Sequence, residues 1–137
     1  MFVDEIIYKD FNGNDRTEEF RFNLTEAEIV ELNLTTEGGL EEYVKLIQQE
    51  QDPKKIIEFF KKIIDMSYGV KSLDGKYFTK DPEDLRKFKA TTAYSIFYMS
   101  LFKDPDKAAK FINGITPNEA IQPQDHKKSE KVTPINK

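Results

Sequence analysis

Asp10, Asn12 and Asn14 occupy alternate positions, the spacing of the first oxygen ligands in a calcium-binding loop. The pattern stops there. The sixth loop position, which needs glycine for its sharp turn, holds Asp15, and the twelfth, which needs a bidentate glutamate, holds Arg21. A reversal between two strands explains the same residues without a metal. Nucleophilic chemistry finds no better footing. The chain has no cysteine, which removes disulfides, thiolate metal sites and thiol redox chemistry. The single histidine, His126, lies in a polar C-terminal stretch with no nucleophile fixed beside it. Gly38-Gly39 lacks the flanking residues of a phosphate-binding loop and reads as a helix boundary. The pairs Glu18-Glu19 and Glu41-Glu42 have the right groups for acid–base work. With 25 acidic side chains in 137 residues, however, solvated faces are the default. Lys54-Lys55 and Lys61-Lys62 read in the same way, as a polar helix face. Nothing in these residues or their spacing argues for an enzyme or for a metal site.

Binding is what remains, and one stretch suits it. From Ala93 to Phe102, AYSIFYMSLF, only Ser95 and Ser100 are polar. On a helix, Ala93, Phe97, Ser100 and Leu101 share one side, and Tyr94, Tyr98, Leu101 and Phe102 lie beside them. Ile96 and Met99 carry the apolar surface further round. A helix apolar nearly all round either sits at the centre of a core or meets something on a second side. Burial in the core is the simpler alternative. Tyr and Met on such a face also suit a partner groove, because both are adaptable contact residues.

Composition bounds the rest. A length of 137 residues suits one domain with its own core. The net charge of −4 is dispersed along the chain, so no basic patch predicts nucleic-acid binding. No apolar run approaches the roughly 20 residues of a membrane span. The opening MFVDEIIYKD has no basic n-region and does not read as a signal peptide. Lack of cysteine suits a reducing compartment.

The elements that must position these residues can be read from the changing period. Over residues 2 to 24 the apolar positions alternate: Phe2, Ile6 and Tyr8, then Phe20, Phe22 and Leu24. That is a β-hairpin, with Asn12-Gly13 supplying a tight reversal. Thr25-Glu26-Ala27-Glu28 is a capping box opening a helix that carries Ile29 and Leu32. Leu40, Val44 and Ile47 mark another helix after the Gly38-Gly39 break. Asp52-Pro53, Asp81-Pro82 and Asp104-Pro105 each suit a helix start, with Asp capping free amides and Pro in the first turn. The helix after Pro53, with Ile56, Phe59, Phe60, Ile63 and Ile64, is expected to be the most buried and to end near Tyr68-Gly69. Residues 70 to 80 read as a small hairpin or an ordered loop, and Gly114 as the left-handed residue closing the last helix. The expected fold is mainly α, of the α+β class: a small N-terminal antiparallel hairpin packed on a bundle of short helices. Residues 1–117 would form the domain, with helices over 25–114, and 118–137 a disordered tail too poor in apolar residues to pack.

The order of these pieces resembles a known family. FNLTEAEIVEL, TTEGGLEEYVKLI, DMSYGVKSLDGKYFTK and TTAYSIFYMSLFKDPDKAAKFINGITP together resemble the tail assembly chaperones of long-tailed, siphovirus-type bacteriophages of Gram-positive hosts. FINGITP and AYS…F…L…D…AAKF are its most specific parts. The resemblance covers nearly all of residues 1 to 117, and the tail beyond Pro117 departs from it. It implies a protein that coats the long tape measure protein in the host bacterial cytoplasm, keeps it soluble, and helps recruit tail tube protein. It also implies absence from the mature virion, a frameshift-extended form, no cofactor and no catalysis. Many weak contacts along a long helix would favour self-association. Within that reading, Tyr94, Phe97, Tyr98, Phe102 and Phe111 are the candidate partner-binding residues. Two other classes stay open: a structural tail component, such as an adaptor or completion protein, and a host-directed regulatory protein.

Overall fold

The computed structural model describes residues 1–35 and 53–117, with Lys45 and Gln49 between them. The expected break at Gly38-Gly39, the helix of Leu40, Val44 and Ile47, the Glu41-Glu42 pair, Asp52 and the tail with His126 lie outside the described residues.

Strands β1 (Phe2–Lys9) and β2 (Asp15–Phe22) form the hairpin, in unbroken antiparallel register from Phe2 opposite Phe22 to Lys9 opposite Asp15. The reversal is built by Asp10 and Gly13. The Asp10 carboxylate accepts the amides of Asn12 and Asn14, each at 2.9 Å, and Gly13 takes the positive φ of 84° that a side chain would resist. The calcium-like spacing is thereby accounted for: the Asp10 oxygens are occupied by backbone amides and by Arg16 at 2.8 Å.

The sheet is larger than a hairpin. After helix α1 (Glu26–Thr35) and helix α2 (Pro53–Ser67), the chain enters β3 (Tyr68–Lys71) and β4 (Phe78–Thr79). The sheet order is β1-β2-β3-β4, with Arg21 opposite Gly69 and Phe22 opposite Tyr68. Residues 70 to 80 are therefore the hairpin of the two alternatives, with Gly75 at φ 81° in its turn. The gain is physical, because a two-stranded hairpin is marginal in water and further strands give it a shared face.

Helices α3 (Pro82–Lys89), α4 (Thr92–Lys103) and α5 (Pro105–Ile115) follow. Asp81 accepts the amide of Glu83, and Asp104 those of Asp106 and Lys107, so both Asp-Pro starts are as expected. The capping box is also present: the Thr25 amide donates to Glu28 Oε1 at 2.8 Å and the Glu28 amide to Thr25 Oγ1 at 3.2 Å. On α2, Ile56, Phe59, Phe60, Ile63 and Ile64 are all buried, and the helix ends at Ser67 as its pattern predicts.

Gly114 differs from expectation. It has no positive φ and stays within α5, which runs on to Ile115. A Cβ there would lie 3.1 Å from the Phe2 Cβ, so the glycine lets the helix approach β1 closely. Two hydrogen bonds close the hairpin onto the helices: the Asn23 amide to the Ser67 carbonyl and the Leu24 amide to the Ile115 carbonyl, each 2.8 Å.

The core lies between the inner sheet face and the helices. Phe22 is fully enclosed and stacks on Phe97 at 4.5 Å with an interplanar angle of 7°. Phe111 meets Phe22 edge-on at 5.4 Å and Phe97 at 5.3 Å. The architecture is mixed α+β, with five helices and a four-stranded antiparallel sheet among the described residues.

Candidate partner-binding surface

Helix α4 is set in place at both ends. The Thr91 hydroxyl donates to the Phe88 carbonyl at 2.7 Å and accepts the Tyr94 amide at 3.3 Å, tying the turn after α3 to the first turn of α4. At the other end the Asp104 amide donates to the Ser100 carbonyl, while its carboxylate caps α5. One residue thus ends one helix and begins the next, which fixes the angle between them.

The helix then divides by face. Ala93, Phe97 and Leu101, four residues apart, enter the core. Tyr94 and Tyr98 flank that line, half-buried and stacked at 6.1 Å with 11° between ring planes. Tyr94 also meets Phe88 edge-on at 5.5 Å. Burial, followed by the negative charge of Asp65, pushes the Tyr94 phenol up; burial alone pushes up Tyr98. Both rings stay neutral at ordinary pH and present apolar edges with a hydroxyl at the tip. The far side carries Ile96, Met99 and Phe102, exposed by 41%, 37% and 42%. Together these three large apolar side chains give the helix one exposed apolar patch, a surface on which a partner can seat.

The five candidate residues therefore separate. Tyr94, Tyr98 and Phe102 follow one another at four-residue spacing and form a ridge running from the core edge out to solvent. Phe97 and Phe111 do not join it. Both are fully enclosed in the aromatic cluster with Phe2 and Phe22, and in this conformation they have no surface to offer a partner. Ile96 and Met99, outside the candidate set, complete the exposed face. Their signal was in the sequence: on the helical wheel Met99 lies opposite Phe97 and Ile96 lies about 100° from it, both off the line of Ala93, Phe97 and Leu101.

A second apolar surface escaped the sequence reading. Val3 and Ile7 sit on the opposite parity of β1 from Ile6 and Tyr8 and face outward, and Phe11 projects from the turn. The buried parity was the stronger signal and masked the other.

Among the described residues no group of three or more His, Asp or Glu side chains stands close enough to hold a metal ion, and no helix is long and apolar enough to cross a membrane.

A model of the phage tail assembly chaperone family matches residues 1–136. The chain belongs to that family. The match continues past Pro117, where the resemblance was expected to end, and so takes in nearly all of the tail. Neither the curated proteins nor the solved structures contain a significant match. For this tail assembly chaperone, family membership points to tail proteins as partners and to binding rather than chemistry.

Proposed function

We propose that the chaperone binds the tape measure protein, keeps that long helical chain soluble in the host cytoplasm, and hands it to tail tube protein during tail assembly, leaving no copy in the virion. The observation that carries the reading is the two-sidedness of α4. Its Ala93, Phe97 and Leu101 side is spent on the core, yet Ile96, Met99 and Phe102 remain in water beside the half-buried Tyr98. An amphipathic helix lays its apolar face into such a surface through residues at three- and four-residue spacing. The dispersed acidic charge keeps the chaperone itself from aggregating. Self-association and a frameshift-extended form belong to the same proposal, since many copies along one long client bind with a raised effective concentration.

The test is co-expression of the tape measure protein with the wild-type chain, with Phe102→Asp, or with no chaperone. Soluble co-elution with the wild type, lost in Phe102→Asp while that variant still unfolds cooperatively, is the expected result. A tape measure protein that is insoluble in all three cases overturns the proposal. One that stays soluble with Phe102→Asp removes α4 as the contact.

A further inference from the structure

We propose that two copies of this chain pair antiparallel through the free edge of β1, with Ile7 opposite Ile7 on the two-fold axis and Glu5 of each copy opposite Lys9 of the other.

The edge is open among the described residues. β1 is the first strand of the sheet, and β2 is its one neighbour. The hydrogen-bond parity follows from two backbone bonds. The Asp10 amide donates to the Asn14 carbonyl at 2.9 Å, so the pair next to the turn is a hydrogen-bonded one. Antiparallel pairs alternate, which makes Tyr8·Arg16, Ile6·Glu18, Asp4·Phe20 and Phe2·Phe22 the pairs that exchange bonds. The amides and carbonyls of Val3, Glu5, Ile7 and Lys9 therefore point away from β2. The opposite edge of the hairpin agrees, because the Asn23 amide reaches outward to the Ser67 carbonyl at 2.8 Å.

Eight residues of unbroken register with no proline and no bulge lack most of the devices that normally blunt an edge strand. The same four residues also turn their side chains to the outer face, where Ile7 is 70% exposed. They form a self-complementary series. With Ile7 on the axis, Glu5 meets Lys9 of the second copy on both sides, and Val3 meets the turn residue Phe11, itself 82% exposed. All of these positions share the parity whose backbone groups are free, so side-chain pairing and hydrogen-bond pairing demand the same register.

A second observation selects that register. Glu5 lies opposite Glu19 within the hairpin, a like-charge pair that costs stability. Glu19 has Arg21 at 2.9 Å, whereas the Glu5 carboxylate has no ion-pair partner among the described residues. Lys9 pairs with Asp15 of its own hairpin at 2.7 Å, with both side chains largely in water, so Lys9 of a second copy would supply the missing cation by sharing its ammonium between Asp15 and Glu5. On the inner face, the register brings Asp4 near Asp10 of the other copy. Lys107 at 2.8 Å and Arg16 at 2.8 Å already neutralise these two carboxylates. The interface is isologous, so one residue pairing specifies both halves.

The inference deepens the chaperone reading and rests on it for the purpose of the dimer. Its test needs no client, so the two can fail separately. The purified full chain is examined by sedimentation equilibrium, with circular dichroism confirming that each variant is folded. The wild type is expected to be a reversible dimer. Ile7→Lys, which sets two cations on the axis, and Lys9→Glu, which turns both attractive pairs repulsive, should each weaken it on the order of tenfold or more. Glu5→Lys combined with Lys9→Glu should restore it. Ile7→Pro should block it while sparing the β1–β2 ladder, because only an outward amide is lost. A wild type that is monomeric at every loading concentration overturns the proposal. So does association that survives Ile7→Lys, or a double exchange no better than Lys9→Glu alone. A monomeric chain whose Ile7→Lys variant loses a co-expressed tape measure protein would give the edge to a client strand, and would also overturn it.

Discussion

Phe97 and Phe102 lie on one helix, five residues apart, and truncating each to alanine should separate core from contact surface. Phe97 is fully enclosed, stacked on Phe22 at 4.5 Å and edge-on to Phe111 at 5.3 Å. Phe→Ala in a core costs about 3–5 kcal/mol, and lost aromatic pairs put Phe97→Ala near the middle of that range, at about 4 kcal/mol. Phe102 is 42% exposed, so little more than half of its surface leaves water on folding. Full burial of Phe is worth about 1.5–3 kcal/mol, which makes Phe102→Ala cost about 1 kcal/mol. With a urea slope of about 2 kcal/mol/M, the unfolding midpoint should fall by roughly 2 M for Phe97→Ala and roughly 0.5 M for Phe102→Ala. Urea titration followed by far-ultraviolet circular dichroism suits a chain that has no tryptophan. Equal midpoint shifts would refute the reasoning: a large one at Phe102 means that its face is covered in the isolated protein, and a small one at Phe97 means that the aromatic cluster is not the core.

Gly114→Ala should destabilise the domain even though alanine is the better helix former by about 1 kcal/mol, because the new Cβ would sit 3.1 Å from Cβ of Phe2, an atom held by the strand backbone; a raised melting temperature would refute this. The Glu28 carboxyl gives a pH signature. Burial alone would raise its pKa, but the Lys80 bond at 2.7 Å and the bonds from Thr25 outweigh burial and hold it below the ordinary 4.5. A folded pKa below the unfolded one means stability that is fully present above about 4.5 and is lost as pH falls through the folded value. Glu28→Gln should therefore be less stable than wild type at neutral pH and should lose less between roughly pH 5 and 3, measured by urea unfolding across that range; parallel pH curves would rule the ion pair out as a contributor.

Local signals in the chain were enough for most elements, because their causes are local. Thr25 and Glu28 cap α1 through bonds three residues apart, and Asp81 and Asp104 cap amides two residues on. Alternation of Phe20, Phe22 and Leu24 specifies an inward strand face whatever packs on it. The candidate surface was legible only in part. Spacing put Tyr94, Tyr98 and Phe102 on one ridge, and composition marked α4 as apolar all round. Neither could say which side of α4 the core would take, since Phe97 and Phe102 are equally apolar. That was decided by Phe22 and Phe111, residues distant in sequence whose rings close on Phe97. The same holds for Gly114, where the local rule favoured a helix end and the approach of Phe2 overrode it. It holds as well for the open edge of β1. The sequence by itself determined the period, the caps and the turns. Only the tertiary structure decided which apolar faces are buried and which backbone groups stay unpaired. Burial and strand order depend on contacts between distant residues, and no local window contains them.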